Sequence, residues 1–291
     1  MKKYIYCLVA LCAGFLTACQ RNDLTEGERR AVNFHVTNYE QYYLGDETRA
    51  ESVDLLDHLT MAIYSADTDQ LVDEVVTQNK GDENYGNFTA YLEEGVTYRI
   101  VFLGYMGSKA CHLTSSKAIS FDDTYVPHTF LYTEVVHVDE SLEPSRNVVL
   151  DRVIGAFRLV MADAMPEGVA TMRFTSTRGG SVLNAQTGEC VQNTGRTYDM
   201  VLADPSSWWG KKNNSFTLYY FLPKTGATME ITVDALDSKG TLIQSRTFPE
   251  VPMTINQLTI YTGNFFIEPT MDYSPSLSLN YSWGAEKTYT Y

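Results

Sequence analysis

The sequence predicts an all-β protein that consists of two β-sandwiches in series. Runs of alternating apolar and polar residues, rich in Val, Ile, Thr, Tyr and Phe, recur along nearly the whole chain. Turns that contain Gly, Asp and Asn separate these runs, and the second half repeats the pattern of the first. The chain has 291 residues, which is enough for two domains of ordinary size. Many short strands at regular spacing favour sandwiches over other all-β folds.

The amino-terminal segment predicts export and attachment of lipid. Lys2 and Lys3 precede an apolar run that ends near Leu16, which is too short to span a bilayer. The run closes with Leu-Thr-Ala-Cys, which resembles the lipobox of bacterial lipoproteins. We therefore expect residues 1–18 to be a signal peptide, Cys19 to carry acyl chains that hold the protein on the outer membrane, and residues 19–30 to be a polar spacer. The alternative is an ordinary signal peptide that happens to contain a Cys.

The composition of the exported chain excludes one class of partner. The 22 Lys and Arg residues, less Lys2 and Lys3, face 36 Asp and Glu residues, which gives a net charge of −16. Such an acidic protein is not expected to bind nucleic acid. Cys7, Cys12 and Cys19 belong to the leader and lipobox, so two cysteines remain, Cys111 and Cys190. A disulfide between them and two free thiols both stay open.

The first half, residues 31–147, contains a series of expected strands. They are 31–36, 59–64, 71–76, 88–92, 96–105 and 130–138. Glu93-Glu94-Gly95 between two of these runs predicts a hairpin. The best helix candidate is Arg49 to Leu59, which could equally be a loop that leads into a strand. The polar stretch 139–147 is expected to be a linker, with a domain boundary near residue 147.

The second half, residues 148–268, repeats the strand pattern and is followed by a tail. Its expected strands are 153–161, 170–177, 216–223, 229–236, 242–248 and 257–266. The tail, residues 269–291, contains a strict two-residue alternation. One side of that extended segment carries Leu277, Leu279, Tyr281 and Trp283, and the other side carries Ser and Asn. We expect these four apolar side chains either to cover the protein's own second domain or to enter the groove of a neighbouring subunit.

The sequence lacks the motifs that carry chemistry in common enzyme families. HExxH, P-loop, GxSxG and GxGxxG patterns are all absent, and the five His show no metal-ligand spacing. Lys224-Thr225-Gly226 matches one element of the serine β-lactamases without its companions, and we interpret it as a turn. We therefore expect no enzymatic activity, no metal and no cofactor.

Two segments carry a resemblance to a known family. Residues 147–174, with Arg152 at a strand entrance and an Asp-x-x-Pro turn that begins at Asp163, resemble the opening of the second domain of Bacteroidales fimbrillins and fimbrial-anchor lipoproteins. Residues 251–266, with Asn256, resemble the closing strand of the same family. The resemblance implies two transthyretin-like, Greek-key β-sandwich domains, a cell-surface lipoprotein and partner fimbrial subunits. It also implies assembly by exchange of β-strands between subunits.

The resemblance leaves several functions open. A shaft subunit would lose its amino-terminal strand by cleavage after an Arg, and the candidates are Arg49 and Arg30. An anchor or tip component would cap the fibre, and an anchor would keep the lipid on Cys19. Ile255, at a position where the family pattern has a basic residue, argues against a standard shaft subunit. The alternative is a surface lipoprotein that binds glycans or host proteins outside any fibre, through aromatic residues such as Trp208-Trp209.

Overall fold

The computed structural model describes residues 29–42, 48–52, 56–267 and 285–290, and this part of the chain is built almost entirely of β-strands. The all-β prediction is confirmed. The strands of the first half are β1 (Arg29–Tyr42), β2 (Thr48–Ser52), β3 (His58–Ser65), β4 (Val76–Asn79), β5 (Asn87–Glu93), β6 (Thr97–Tyr105), β7 (Cys111–His112), β8 (Ser120–Phe121), β9 (Thr129–His137) and β10 (Ser145–Arg152). Those of the second half are β11 (Ile154–Met161), β12 (Thr171–Ser176), β13 (Leu183–Asn184), β14 (Glu189–Cys190), β15 (Arg196–Val201), β16 (Asn214–Phe221), β17 (Ala227–Leu236), β18 (Leu242–Met253), β19 (Gln257–Gly263) and β20 (Ala285–Thr290).

The first half is organised around one eight-stranded sheet. Its order is β2-β1-β10-β9-β6-β3-β4, with β5 paired to β1. The sheet curls around its own core, because buried apolar side chains from β1, β3, β5, β6, β9 and β10 form one cluster. The side chain of Gln78 on β4 bonds the carbonyl oxygen of Asn87 at 2.7 Å and the amide of Gly86 at 2.8 Å, which joins the two ends of the sheet.

The prediction of a β-hairpin at Glu93-Glu94-Gly95 is wrong. The turn itself is present, with Gly95 at φ +78°, a conformation that favours glycine. The flanking strands β5 and β6 do not pair, because β5 pairs with β1 and β6 lies between β3 and β9. The sequence therefore predicted the turn correctly. It did not predict the partners of β5 and β6, because these strands pair with segments that are not adjacent in the sequence.

The second half is a sandwich of two four-stranded sheets. Their orders are β16-β11-β19-β20 and β15-β12-β17-β18. Alternate residues of the facing strands enter the core, as in β12, where Met172, Phe174 and Ser176 are buried and the residues between them are more exposed. Phe157, Phe248 and Tyr261 form an aromatic group in this core, with ring centroids 5.2–5.9 Å apart.

A third apolar cluster joins the two halves. It contains side chains of β3, β6 and β8 from the first half and of β11, β16 and β19 from the second. Two backbone hydrogen bonds cross the same interface, from the amide of Ile119 to Leu183 at 2.7 Å and back at 2.8 Å. The carboxylate of Asp69 accepts from Ser115 at 2.7 Å, from Ser116 and from Gln186 at 3.1 Å. Burial alone would raise the pKa of Asp69, but these hydrogen bonds hold it below its ordinary value.

Two further expectations about elements are corrected. The helix candidate Arg49 to Leu59 is not helical where it is described, because residues 49–52 belong to β2 and β3 begins at His58. The expected strand 71–76 is an irregular segment that becomes a strand only at Val76. Residue 147, near which the domain boundary was expected, lies on β10, which pairs with β1 and β9 of the first sheet, and the division of the chain into two domains stays a prediction. None of the described residues forms a helix that is long and apolar enough to cross a membrane.

Candidate functional site

The amino-terminal strand β1 is inserted into the interior of the first sheet. It runs parallel to β10 on one side and antiparallel to β5 and β2 on the other. Val32, Phe34 and Val36 alternate along it and are fully or almost fully buried in the first core. Removal of β1 would therefore leave an apolar groove lined by unpaired backbone groups of its neighbours.

Both arginines predicted as processing sites lie on strands. Arg30 is part of β1, where it pairs with Leu92, and its guanidinium donates to the carbonyl oxygens of Asp139 and Leu142. Arg49 is part of β2, where its backbone pairs with Gln41 of β1. A protease needs an extended, unpaired segment, so neither position is presented for cleavage while these strands are paired.

Residues 265–267, between β19 and the tail, are held by two charged side chains, one from the loop after β11 and one from β18. The buried carboxylate of Asp163 accepts hydrogen bonds from three consecutive amides, those of residues 265–267, at 2.6–2.9 Å. Arg246 of β18 donates to the carbonyl oxygens of Phe265 and Ile267, each at 2.6 Å. These are charge-assisted bonds, and together they fix the direction in which the chain leaves the second sandwich.

The carboxy-terminal segment returns to the same sandwich. β20 pairs in parallel with β19 over six residue pairs and forms an edge of that sheet. Tyr289 stacks on Tyr261 at 4.6 Å between ring centroids, which brings β20 against the core. The four residues proposed as a donor face, Leu277, Leu279, Tyr281 and Trp283, lie outside the described residues, as does Cys19.

Residues from the two segments that carried the family resemblance meet at the junction of the halves. Arg152 is 4% exposed and donates to the side-chain oxygen of Asn256 at 2.6 Å. Its guanidinium also lies over the ring of Phe130 at 5.1 Å. Asn256 adopts φ +60°, a left-handed conformation that Asn tolerates better than most residues. The Arg152–Asn256 bond therefore connects the end of β10, where the chain enters the second half, to the turn between β18 and β19.

The predicted aromatic and thiol features have structural positions. Trp208 and Trp209 are not on a strand but follow a single 3₁₀ turn. Trp208 stacks on Phe216 at 5.1 Å, and the indole of Trp209 donates to the carbonyl oxygen of Val169 at 2.8 Å. Both therefore pack against the second core, which argues against an aromatic platform for sugars. Cys111 and Cys190 are free thiols, and burial raises the pKa of each.

One cleft lies between the two halves, and its main strand was not expected from the sequence. The cleft has a volume of about 550 Å³. Lys109, Asp123 and Thr124 of the first half line one wall, and β15 of the second half lines the other. β15 was missed because its outward residues Thr197 and Asp199 are polar and its inward residues are only half buried, so its apolar alternation is weak.

Comparison with protein families gives one match. The model of a family of unknown function, DUF6562, matches residues 25–291, which is most of the chain. No curated protein matches the sequence significantly.

Comparison with solved structures gives several low-identity likenesses. A candidate adhesin from Bacteroides ovatus has a TM-score of 0.49 at 12% identity, with 75% of this chain and 76% of that chain covered. The fimbrial anchor protein Mfa2 from Porphyromonas gingivalis has a TM-score of 0.40 at 10% identity, with 75% and 82% covered. A candidate cell adhesion protein from Bacteroides eggerthii has a TM-score of 0.41 at 8% identity, with 91% and 98% covered. All three TM-scores are below 0.5, so the function is argued below from the chain's own residues.

Proposed function

The chain belongs to the DUF6562 family of unknown function, and we propose that it is a structural component of a bacterial cell-surface fimbria. In this proposal the protein is exported as a lipoprotein, is held on the outer membrane through Cys19, and associates with other fimbrial subunits by exchange of β-strands. Of the roles that the sequence left open, we propose an anchor or accessory component that keeps both its lipid and β1.

The position of β1 is the observation that carries the proposal. β1 fills the middle of the sheet, but only its carboxyl end continues into the other strands of the fold. Another strand can therefore replace it without unfolding the rest of the sheet. Burial of Val32, Phe34 and Val36 contributes roughly 1.5–3 kcal/mol for each side chain, which is the gain that a replacement strand has to reproduce. A component that keeps β1 has this groove filled, so in this proposal it offers a strand to a neighbouring subunit instead of accepting one.

The pairing of the two arginines supports retention of β1. Arg30 pairs with β5 through its backbone and donates to a carbonyl oxygen through its guanidinium, and Arg49 of β2 pairs with β1. Cleavage after Arg49 would separate Cys19 from the folded protein, together with the three core side chains of β1. A component that stays on the membrane has to avoid that cut, and the paired strands supply a physical means of avoiding it.

The tail supports a role in association. Asp163 and Arg246 hold the chain rigidly up to Ile267, and β20 forms an edge strand with a single neighbour in the sheet. An edge strand that a long segment joins to the preceding strand can leave its own sheet and pair with another chain. It then loses only its hydrogen bonds to the one neighbouring strand. The 23 residues of the tail, 269–291, include the alternating segment proposed as a donor face.

A single cell experiment tests the proposal. The full chain, tagged in the exposed turn at residues 238–240, is produced in a fimbriated Bacteroidales host and isolated with its partners after labelling with a palmitate analogue. We expect a labelled protein that begins at Cys19 and co-purifies with fimbrial subunits. Cys19→Ala removes the label, and deletion of residues 269–291 weakens co-purification while the remainder stays folded. A labelled protein that brings down no fimbrial subunit contradicts the proposal, and an amino terminus at residue 50 assigns a shaft role instead.

A further inference from the structure

The edge strand β15 presents a row of unpaired backbone groups to the cleft between the halves. In the neighbouring strand β12, the backbone amides and carbonyls of odd-numbered residues point toward β17. The amide of Thr177, for example, donates to the carbonyl oxygen of Glu230 at 3.0 Å. Even-numbered residues of β12 therefore bond β15, in agreement with the bond from Leu202 to Ala170 at 2.9 Å. It follows that the amides and carbonyls of Thr197, Asp199 and Val201 point away from β12. Among the described residues these groups have no backbone partner.

The opposite edge of the same sheet is protected in the ways that edges commonly are. β18 contains Pro249 and Pro252, and its pairing with β17 has two register shifts. Prolines and irregular pairing prevent an edge from recruiting a further strand. β15 has neither feature, because its six residues pair with β12 in an unbroken register. The free edge at β15 is therefore regular enough to accept another strand.

The far wall of the cleft is held in a strained conformation. Asp123 and Thr124 are consecutive residues with φ of 57° and 54°, which is unfavourable for both side chains and especially for the β-branched one. Asp123 is paired with Lys109, and Tyr125 contacts Tyr198 of β15 at 6.0 Å between ring centroids. The loop is thus fixed beside β15 and leaves a cleft of about 550 Å³, a volume typical of ligand sites.

The exposed face of the sheet indicates which side chains a fifth strand would carry. A row of threonines crosses all four strands, with hydroxyl contacts of 2.9 Å between Thr232 and Thr247 and 3.2 Å between Thr175 and Thr197. The next row alternates in charge, from Asp234 through Arg173 to Asp199, and the Arg173–Asp199 pair is bidentate at 2.7 and 2.8 Å.

At the free edge, β15 exposes three side chains of different chemical character, one from each of the two rows and one from the row beside them. They are the hydroxyl of Thr197, the carboxylate of Asp199 and Val201, an aliphatic side chain that is 70% exposed. Cross-strand pairs of hydroxyl residues and of opposite charges stabilise neighbouring strands, and an exposed aliphatic side chain is best covered by another apolar side chain. A docked strand should therefore place a Ser or Thr, a Lys or Arg, and a branched aliphatic residue opposite these three.

We propose that β15 is a binding site for an extended peptide segment of another protein, docked antiparallel as a fifth strand of the sheet. Read from its amino terminus, the segment has the pattern aliphatic-x-basic-x-hydroxyl, so that its three patterned residues lie opposite Val201, Asp199 and Thr197. Each patterned residue exchanges both its amide and its carbonyl with β15, and the intervening residues direct theirs away. The site uses neither β1 nor the tail, so it does not depend on the proposed function.

A synthetic peptide tests the site. The probe is the capped sequence Ser-Val-Ser-Lys-Ser-Thr-Ser with a fluorophore at one end, titrated with the full exported chain and followed by anisotropy. We expect saturable binding that weakens by about tenfold or more when the Val, Lys and Thr amides are N-methylated. N-methylation of the Ser residues between them is the matched control and should leave binding nearly unchanged. Equal loss with both methylated peptides, or no saturable binding, overturns the proposal.

Charge reversal tests the register. Asp199→Lys should weaken binding of the Lys peptide by about tenfold, and a peptide with Glu in place of Lys should regain it. Glu230→Lys makes the same change of charge on an exposed position two strands away and should leave binding unchanged. Thermal unfolding of each variant checks that the sheet is intact. Failure of the Glu peptide to bind a folded Asp199→Lys variant overturns the register, and binding of glycans rather than peptides at this edge overturns the proposal.

Discussion

The imidazole of His128 is buried between the two halves of the protein. It stacks on Tyr219 with 5.5 Å between ring centroids and an angle of 11°, and it lies near Arg152. Burial, and then the positive charge of Arg152, lower the pKa of His128 from 6.5 to about 3. The sequence offered no signal for this residue, since its surroundings come from strands far apart in the chain.

The lowered pKa of His128 predicts loss of stability in mild acid. Below pH 6.5 the unfolded chain takes up a proton at this residue, whereas the folded chain does so only near pH 3. The contribution of His128 to the free energy of unfolding is therefore complete above pH 6.5 and falls by up to about 1.4 kcal/mol per pH unit between those values. Urea unfolding at pH 7, 5.5 and 4 should show a smaller decline for His128→Gln than for the wild type.

The exposed His137 provides the control for this measurement. His137→Gln makes the same substitution at an exposed position of β9 and should decline in parallel with the wild type. Carboxylates contribute to acid unfolding in all three proteins, so only the difference between the curves reports His128. Parallel curves for wild type and His128→Gln would show that this imidazole is protonated as easily in the folded protein as in the unfolded one.

At the scale of single elements, sequence patterns predicted strands well when one face is buried in a core. Residues 31–36, 88–92 and 229–236 all lie within the strands β1, β5 and β17, because alternation directly reflects the burial of every second side chain. The pattern said nothing about strand partners. It missed β10 in the expected linker, and it missed β15, whose role at an exposed edge requires polar side chains.

Substitutions at adjacent positions of β1 should have very different effects on the free energy of unfolding. Phe34 is fully buried against Phe102 at 5.2 Å between ring centroids, so Phe34→Ala should lower the free energy of unfolding by about 3–5 kcal/mol. Asn33 is exposed on the same strand and accepts a solvent-exposed hydrogen bond from Thr89 at 2.8 Å, so Asn33→Ala should lower it by about 1 kcal/mol or less. Urea unfolding of the two variants at neutral pH measures both. Similar values for the two would mean that β1 is not inserted in the register described.

At the scale of the whole molecule, the two halves share buried surface. The third apolar cluster, the Ile119–Leu183 backbone bonds, the Asp69 network and the Arg152–Asn256 bond all join the first half to the second. The sequence predicted two sandwiches in series and gave no indication of this joint core, because its members are separately ordinary strand residues. Domains that meet through a large apolar interface are not expected to move or unfold independently.

The shared core predicts that both halves unfold in one transition and that a cavity in it destabilises both. Leu183 is fully buried in the shared cluster, so Leu183→Ala should lower the free energy of unfolding by about 2–5 kcal/mol. Tryptophan fluorescence reports the second half, because Trp208 and Trp209 pack against its core and Trp283 is in the tail that follows it in the sequence. Hydrogen exchange in β3 and β6 reports the first half. We expect both probes to shift together in urea, because neither half buries this surface alone. Val191→Ala, at a position 46% exposed, is the control and should move neither probe. If Leu183→Ala shifts the tryptophan transition while exchange in β3 and β6 stays as in the wild type, the halves are independent folding units.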